Sequence, residues 1–483
     1  MSWHPAYRKQ VLEPDFRHAA AHLSHHFIDA MTAHLDTVLR LPAYSGPAQQ
    51  AAGAEVRAAL VAQHALPAPE QGDDVPDYYF ALQRRLEGEI GEAVGLIRVG
   101  LSRNDLDMTV YKMAGRDSLL DTGERLVALR GLIIEKAARH VGTVLIAQTH
   151  HQPGQPTTVA HYLGAVEDQL ARDSRRVIEA YARMNTCPLG AAALAGSSHP
   201  LEREFTAASL GFDAPVANTY DAVASADWEF DIVSVAQSVA LGLGRFVNDL
   251  LSWAASGWYR LDDSLVQGSS IMPQKRNPVS LEHARTRLSR VLGAAGMVTY
   301  SHHNIPFTDL NDFGPDIQGA LGVQHRQLVG ALTLLAACLE QGDFDERKLA
   351  EAALRTDTTA TELADVLARD HGLTFPHAHK VVATLVRRFS AEGRLLTSAA
   401  PADVEAAGGP PVSAEALAAA VDPSGFVRRR AGYGMPAPEV MTKALARATE
   451  RLAADRLALR ERSEALALAT ARLRGTGKEL VEA

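Results

Sequence analysis

Residues 268–278 read Gly-Ser-Ser-Ile-Met-Pro-Gln-Lys-Arg-Asn-Pro. Gly268, Pro273 and Pro278 keep this stretch out of helix and strand. The resulting loop offers two hydroxyls (Ser269, Ser270), an ammonium (Lys275), a carboxamide (Asn277) and several backbone amides together. Donors that converge in this way suit a carboxylate, which can accept from several at once. The plain alternative is a Ser/Pro turn between two helices.

Two other segments carry polar groups at chemically useful spacing. In Ala-Gln-Thr-His-His-Gln-Pro-Gly-Gln-Pro (147–156), Thr149 can donate to a carboxylate and His150 can exchange a proton near neutral pH. This pair is expected at the end of an apolar helical stretch, before a proline turn. His151 adjoins His150, so either imidazole could be the working one. In Gly-Leu-Ser-Arg-Asn-Asp (100–105), Ser102, Arg103 and Asn104 place a hydroxyl, a guanidinium and a carboxamide within one turn. Arg103 can grip a carboxylate through two parallel bonds. A helix start capped by Asn104 or Asp105 would explain the same residues.

Long helices must hold these segments. From Ile232 the apolar positions run Val235, Val239, Leu243, Phe246, Leu250 and Trp253, in the three- and four-residue steps of a coiled-coil seam. Such a helix needs partners along its length, so a helical bundle shared between subunits is expected. Further helical stretches are read at 115–148, 159–183, 281–300, 319–339 and 439–473. Breaker-rich segments at 42–54, 66–77 and 399–411 divide the chain. The division is an N-terminal helical domain (1–103), a central long-helix domain carrying the 268–278 loop (104–355) and a C-terminal helical domain (356–483). No internal repeat is found.

The 483 residues are 47% hydrophobic, 22% charged and only 6% aromatic, an ordinary soluble composition. The net charge of −9 argues against nucleic acid as the main partner. Two cysteines, Cys187 and Cys338, exclude a disulfide scaffold and a four-cysteine zinc site. No signal-type start and no apolar run of bilayer length is read, so the expected location is the cytoplasm, with no membrane partner.

The 268–278 loop closely resembles the signature loop of the fumarase/aspartase superfamily. Thr149, His150, Gln152, Gln155 and Pro156 match that superfamily's Thr-His-x-Gln-x-x-Gln-Pro motif. Ser-Arg-Asn-Asp at 102–105 resembles the argininosuccinate lyase branch. So do Pro188–Gly196, Ala360–Asp365 and the landmark formed by Asp422, Pro423, Val427, Arg430, Gly434 and Ala437-Pro438. The resemblance covers about residues 75–440. It implies an all-α, three-domain fold with a central long-helix bundle, assembled as a homotetramer with a multi-helix core and active sites shared between subunits.

It also implies roles. Ser269 matches the catalytic base, usable only if loop amides and nearby cations stabilise its alkoxide. His150 matches the acid or proton relay, and Glu282 its carboxylate partner across a subunit boundary; a first-turn acid beside the helix dipole would equally explain Glu282. Lys275 and Asn277 would stabilise the doubly charged carboxylate of the intermediate. Ser102, Arg103, Asn104, Thr149, Gln152, Ser270 and Met272 fall at substrate-binding positions. No metal or organic cofactor is required.

The fumarate side of the branch pattern is intact and the leaving-group side is not. The family's histidine and threonine ahead of the Ser-Arg-Asn-Asp motif are Tyr79 and Phe80 here. Its Gly-Ser pair has Ala30-Met31 as nearest match, its Arg-Asp pair is Ala226-Asp227, and its distal tyrosine and glutamine are Pro306 and Asn311. Tyr79 and Asn311 are thus candidates for an altered leaving-group pocket. Losing several donors costs a guanidinium-bearing amine on the order of 2 kcal/mol per mispaired group. The expectation is a carbon–nitrogen lyase that releases fumarate from another N-substituted aspartate, such as an aminopolycarboxylate of the ethylenediamine-disuccinate type or an N–N bonded succinate. Argininosuccinate cleavage is the runner-up. A crystallin-like structural protein, catalytically inactive, is the alternative of another class.

Overall fold

The computed structural model describes residues 3–312 and 314–475. The N-terminal helices are α1 (Glu13–His22), α2 (Ser24–Val38), α3 (Pro47–Ala62) and α4 (Tyr78–Ile90). They lead into α5 (Arg103–Arg139), 37 residues long. A hairpin follows, β1 (Val144–Thr149) and β2 (Gln152–Thr158), and then α6 (Val159–Met184). The bundle is completed by α7 (Asp227–Ser256), α8 (Val279–His302) and α9 (Pro315–Gln341). Helices α10 (Ala360–His371), α11 (Phe375–Glu392) and α12 (Ala414–Val421) come next, before the long α13 (Pro438–Leu473).

The seam read in the sequence is the buried face of α7: Ile232, Val235, Val239, Leu243, Phe246, Leu250 and Trp253 are all in the core. Gly257, with φ +72°, ends the helix: its N–H bonds Ala254 O and the next N–H bonds Trp253 O. By length and composition α7 could cross a bilayer, with a mean hydropathy of 1.3 over its most apolar window. This corrects the expectation that no such run exists. Half of that window is buried inside the chain, and α7 packs on α6 and α8. Its apolar content is that of a bundle core.

Contacts between side chains fix the directions of the helices. Arg116 of α5 bonds Asn185 just past α6, so α6 returns antiparallel. Trp228 and Ile232 lie beside Gly115, so α7 runs with α5. His302 pairs with Glu229 at 2.8 Å, which turns α8 back. Gln318 also bonds Glu229 and Lys136 bonds Gly342, so α9 runs with α5 again. Finally α13 lies against α5 and α6, with Asp455 on Arg130 and Arg474 on Asp29.

One apolar core runs from the N-terminal helices into this bundle and takes in Leu445, Leu452 and Leu459 of α13. A second, smaller core holds Leu363, Leu367, Val381, Leu385, Phe389 and Leu417 of α10, α11 and α12. Helix α13 thus packs with the central bundle rather than with the helices that precede it.

The sequence expectation of helix through Gln148 is corrected: α5 stops at Arg139. Val141-Gly142-Thr143 interrupts it, and Val144 and Ile146 then pair with Thr158 and Pro156 across the hairpin. Gly142 and β-branched residues favour this over another helical turn.

Candidate active site

The signature loop is pinned at its base and free at its tip. Gln267 and Asn277 exchange backbone hydrogen bonds at 3.0 and 2.9 Å. Arg276 donates to Leu261 O at 2.7 Å and pairs with Asp263. Ser280 donates to Leu265 O at 2.8 Å. Beyond these ties Ser270, Met272 and Lys275 are exposed, and Ile271 is 83% exposed. The Ser269 Oγ accepts from the N–H groups of Met272 (3.1 Å) and Ile271 (3.4 Å). Two amides aimed at one hydroxyl oxygen form an ordinary Ser turn. They are also what an alkoxide needs to persist. The Lys275 ammonium meets no carboxylate among the described residues.

The second motif lies on the β1–β2 hairpin, not at a helix end. His150 and His151 are its two turn residues, with φ of 54° and 59°, a turn that usually takes Asn-Gly. Thr149 pairs with Gln152 across it, and all four residues are exposed. Gln155 donates to Thr361 Oγ at 3.4 Å. The base of the hairpin is buried with Ala353 and Val427. Glu282 lies exposed in the first turn of α8, and its carboxylate makes no hydrogen bond or ion pair among the described residues. The expected His150–Glu282 pair is therefore not made within one chain.

The third motif opens α5. Ser102 is the N-cap, rather than Asn104 or Asp105, and Asp105 completes the capping box by accepting from Ser102 N at 3.0 Å. The other Asp105 oxygen accepts from Gly190 N (2.8 Å) and Ala192 N (2.9 Å). Full burial pushes this carboxyl up to about 7 against those donors. Asn104 donates to Ala193 O. Arg103 donates to Asp77 (3.0 Å) and to Asn311 (3.0 Å), and faces Asp107 at 3.5 Å. Two predicted residues, Arg103 and Asn311, thus meet directly.

Beside them lies a cavity of about 240 Å³, lined by Asp15, Asp77, Tyr78, Asp107 and Tyr111 among others. Tyr79 is buried in the apolar core, and Tyr78 lines the cavity instead. Ala30 and Met31 are also wholly buried, so neither offers a surface to a substrate. Burial, then Asp316, raises Asp15 to about 6. Burial, then Asp77, pushes Asp107 well above the carboxylate range. Sequence reasoning missed Asp15, Asp77, Asp107 and Tyr111. Only Asp107 had a local signal, four residues past Arg103 on the same helix face.

These three groups do not form one site within a chain. Arg103 opens α5 and the hairpin follows its far end. A 37-residue helix is about 55 Å long. The connector and a six-residue strand recover about 35 Å at most, which leaves roughly 20 Å or more. The signature loop follows the end of α7 at the hairpin's end of the bundle, where Trp253 packs on Phe344 and Asp343 meets Lys136.

Sequence profiles described as "Lyase" and "Argininosuccinate lyase C-terminal" match residues 68–293 and 357–428. Argininosuccinate lyase 2 of Agrobacterium fabrum is 34% identical over 455 residues, covering 92% of this chain and 89% of that protein. Argininosuccinate lyase of Natronomonas pharaonis is 36% identical, covering 82% and 80%. Among solved structures, an EDDS lyase variant with bound fumarate superposes with a TM-score of 0.84 at 29% identity, over 100% of this chain and 97% of that one. A class II fumarase from Schistosoma mansoni shares the fold, with a TM-score of 0.69 at 16% identity over 83% and 90%. An all-helical bundle with a donor-rich serine loop, joined to these likenesses, defines a carbon–nitrogen lyase. The chain belongs to the fumarase/aspartase superfamily, in its argininosuccinate lyase-like branch.

Proposed function

We propose that this lyase eliminates an amine from an N-substituted aspartate and leaves fumarate. Ser269, as alkoxide, takes a proton from the carbon beside one carboxylate. The charge that builds on that carboxylate is met by Lys275 and Asn277. The C–N bond then breaks, its electron pair stays on nitrogen, and His150 supplies the proton that the amine needs. Ser102, Arg103, Asn104, Thr149, Gln152, Ser270 and Met272 bind the rest of the substrate, and Glu282 of another copy orients His150. The observation that carries this reading is the pair of amides on the Ser269 oxygen in a loop that also presents Lys275.

We place each active site at a junction of several chains in a homotetramer. The separation of Arg103 from His150 along α5 supports this. So do the exposed apolar side chains on the bundle helices, with Leu241 58% and Tyr300 81% exposed. Two free, buried cysteines fit a reducing compartment, and we take the cytoplasm as the setting.

The leaving amine is proposed to be other than arginine, because Pro306 and Asn311 stand where the branch carries a tyrosine and a glutamine, and Tyr79, in place of its histidine, is buried in the core. Argininosuccinate remains the second reading, favoured by the named relatives and by the acidic cavity around Arg103, which would accept any cationic end group. Fumarate offered with a panel of amines in the reverse direction, read by loss of its ultraviolet absorbance, separates the two. Efficient argininosuccinate turnover would overturn the first. Ser269→Ala is expected to lower turnover by about 10²–10⁴-fold or more while sparing assembly; unimpaired turnover would remove Ser269 as base. A folded oligomer that releases no fumarate from any N-succinyl compound would favour a structural role.

A further inference from the structure

Away from the signature loop, a cavity of about 360 Å³ lies between the N-terminal helices, α5, α7 and α9. His18, His22, His25, His26 and His325 line it, with Asp117 beside them. Nothing in the proposed elimination uses these groups. Asp117 lies on α5, roughly 21 Å along the helix from Arg103.

One ligand atom each from His25, His26 and Asp117 lies within 4.8 Å of the others. His26 Nε2 and Asp117 Oδ2 are already 3.2 Å apart, close to the roughly 3.3 Å that separates neighbouring ligand atoms on a tetrahedral zinc ion. The His25 ring sits 3.9 Å from the His26 ring, centroid to centroid. His25 is exposed, so a small rotation can carry its nitrogen inward. One further observation points to a missing polar guest in the same cavity. Gln324, 1% exposed, lines it with an unpartnered Nε2. Buried nitrogens without partners are rare unless a ligand or water meets them.

We propose that His25, His26 and Asp117 form a transition-metal site, suited to zinc, that ties the N-terminal helices to the bundle. Two imidazoles and one carboxylate are a zinc-type donor set that leaves a fourth position for water. Magnesium and calcium, which prefer all-oxygen ligands, fit it poorly. His18, His22 and His325 surround the ion without being its ligands; His325 instead pairs with Asp121 at 3.1 Å.

The test uses the full chain without a histidine tag, stripped with chelator and dialysed against zinc alone. One zinc per chain is expected, with a rise of several degrees in thermal midpoint and no such response to magnesium. His25→Ala and Asp117→Asn should each weaken zinc binding by at least about tenfold, with helicity by circular dichroism unchanged. His18→Ala should retain binding. Substoichiometric zinc in the parent chain, or zinc retained at full affinity in the His25→Ala, Asp117→Asn double variant, would overturn the site. Loss in His18→Ala with retention in His25→Ala would overturn this ligand assignment.

Discussion

At Ser269, the base in the proposed elimination, the amides two and three residues on point at the hydroxyl oxygen, which is how a backbone would prepare so weak a base. The hairpin histidines pose a sharper question, since both lie in the left-handed region. A β-carbon there costs roughly 1 kcal/mol or more. His151→Gly should relieve that cost and keep turnover, whereas His150→Gly should lose about 10²-fold or more. Steady-state rates of the two variants decide which imidazole works, and the opposite ranking would assign the proton to His151. His34 gives a pH prediction. It is fully buried, with Nε2 2.9 Å from Val99 O, and burial holds its imidazole down to about 4. The unfolded chain takes up this proton near 6.5. Between those values the unfolded state binds more protons, so stability falls as pH drops from about 6.5 towards 4. The contribution is whole above that window, and about 2 kcal/mol of it is gone by pH 5. Thermal midpoints at pH 7.5 and 5 should show a smaller acid loss for His34→Gln than for the parent chain.

At the scale of elements, α5 organises the molecule: α6, α9 and α13 all pack on it, and two of them, α6 and α13, lock onto it through one arginine. Arg130, wholly buried, donates to Glu167 of α6 at 2.8 and 3.0 Å, to Ser174 at 3.1 Å and to Asp455 of α13 at 2.5 Å. Removing Arg130 leaves the buried Glu167 carboxylate with Arg451 alone, at 2.9 Å, against it, at a cost of up to about 3–5 kcal/mol. Arg130→Met should therefore lower the thermal midpoint sharply, and Glu167→Gln in the same chain should recover part of the loss. Equal stability of Arg130→Met and parent would mean that this knot contributes little. The knot also explains why α13 packs against the bundle. Its arginines and leucines fit charged and apolar positions on α5 and α6 that no local pattern in residues 438–473 announces.

The whole molecule sets the hardest constraint, because α5 separates Arg103 from His150 by more than the hairpin can recover. An active site needing both must draw on different chains. Arg103→Ala and Ser269→Ala proteins, each inactive alone, should regain part of the activity when unfolded together and reassembled. No recovery, with mixed oligomers confirmed by mass, would place both residues of a working site in one chain. Exposed apolar residues on α7, α8 and α9, among them Leu241, Met297, Tyr300 and Val323, are where the copies are expected to meet. Leu241→Glu should thus reduce both oligomer size, by sedimentation, and turnover.

The helices of the bundle, their apolar seam and the donor-rich loop could be read from the chain alone, because each is written in neighbouring residues: periodicity in α7, prolines and hydroxyls in 268–278. The hairpin at 144–158 could not, since a short apolar run such as Val-Leu-Ile-Ala suits a helix end and a strand equally until a partner strand selects one. Nor could Asp77 beside Arg103, Tyr78 in place of Tyr79, or His25 and His26 beside Asp117. Those meetings join residues tens of positions apart, and they depend on the angle and register at which rigid helices pack. Local sequence specifies the helices, but only tertiary contact decides which of their faces come together.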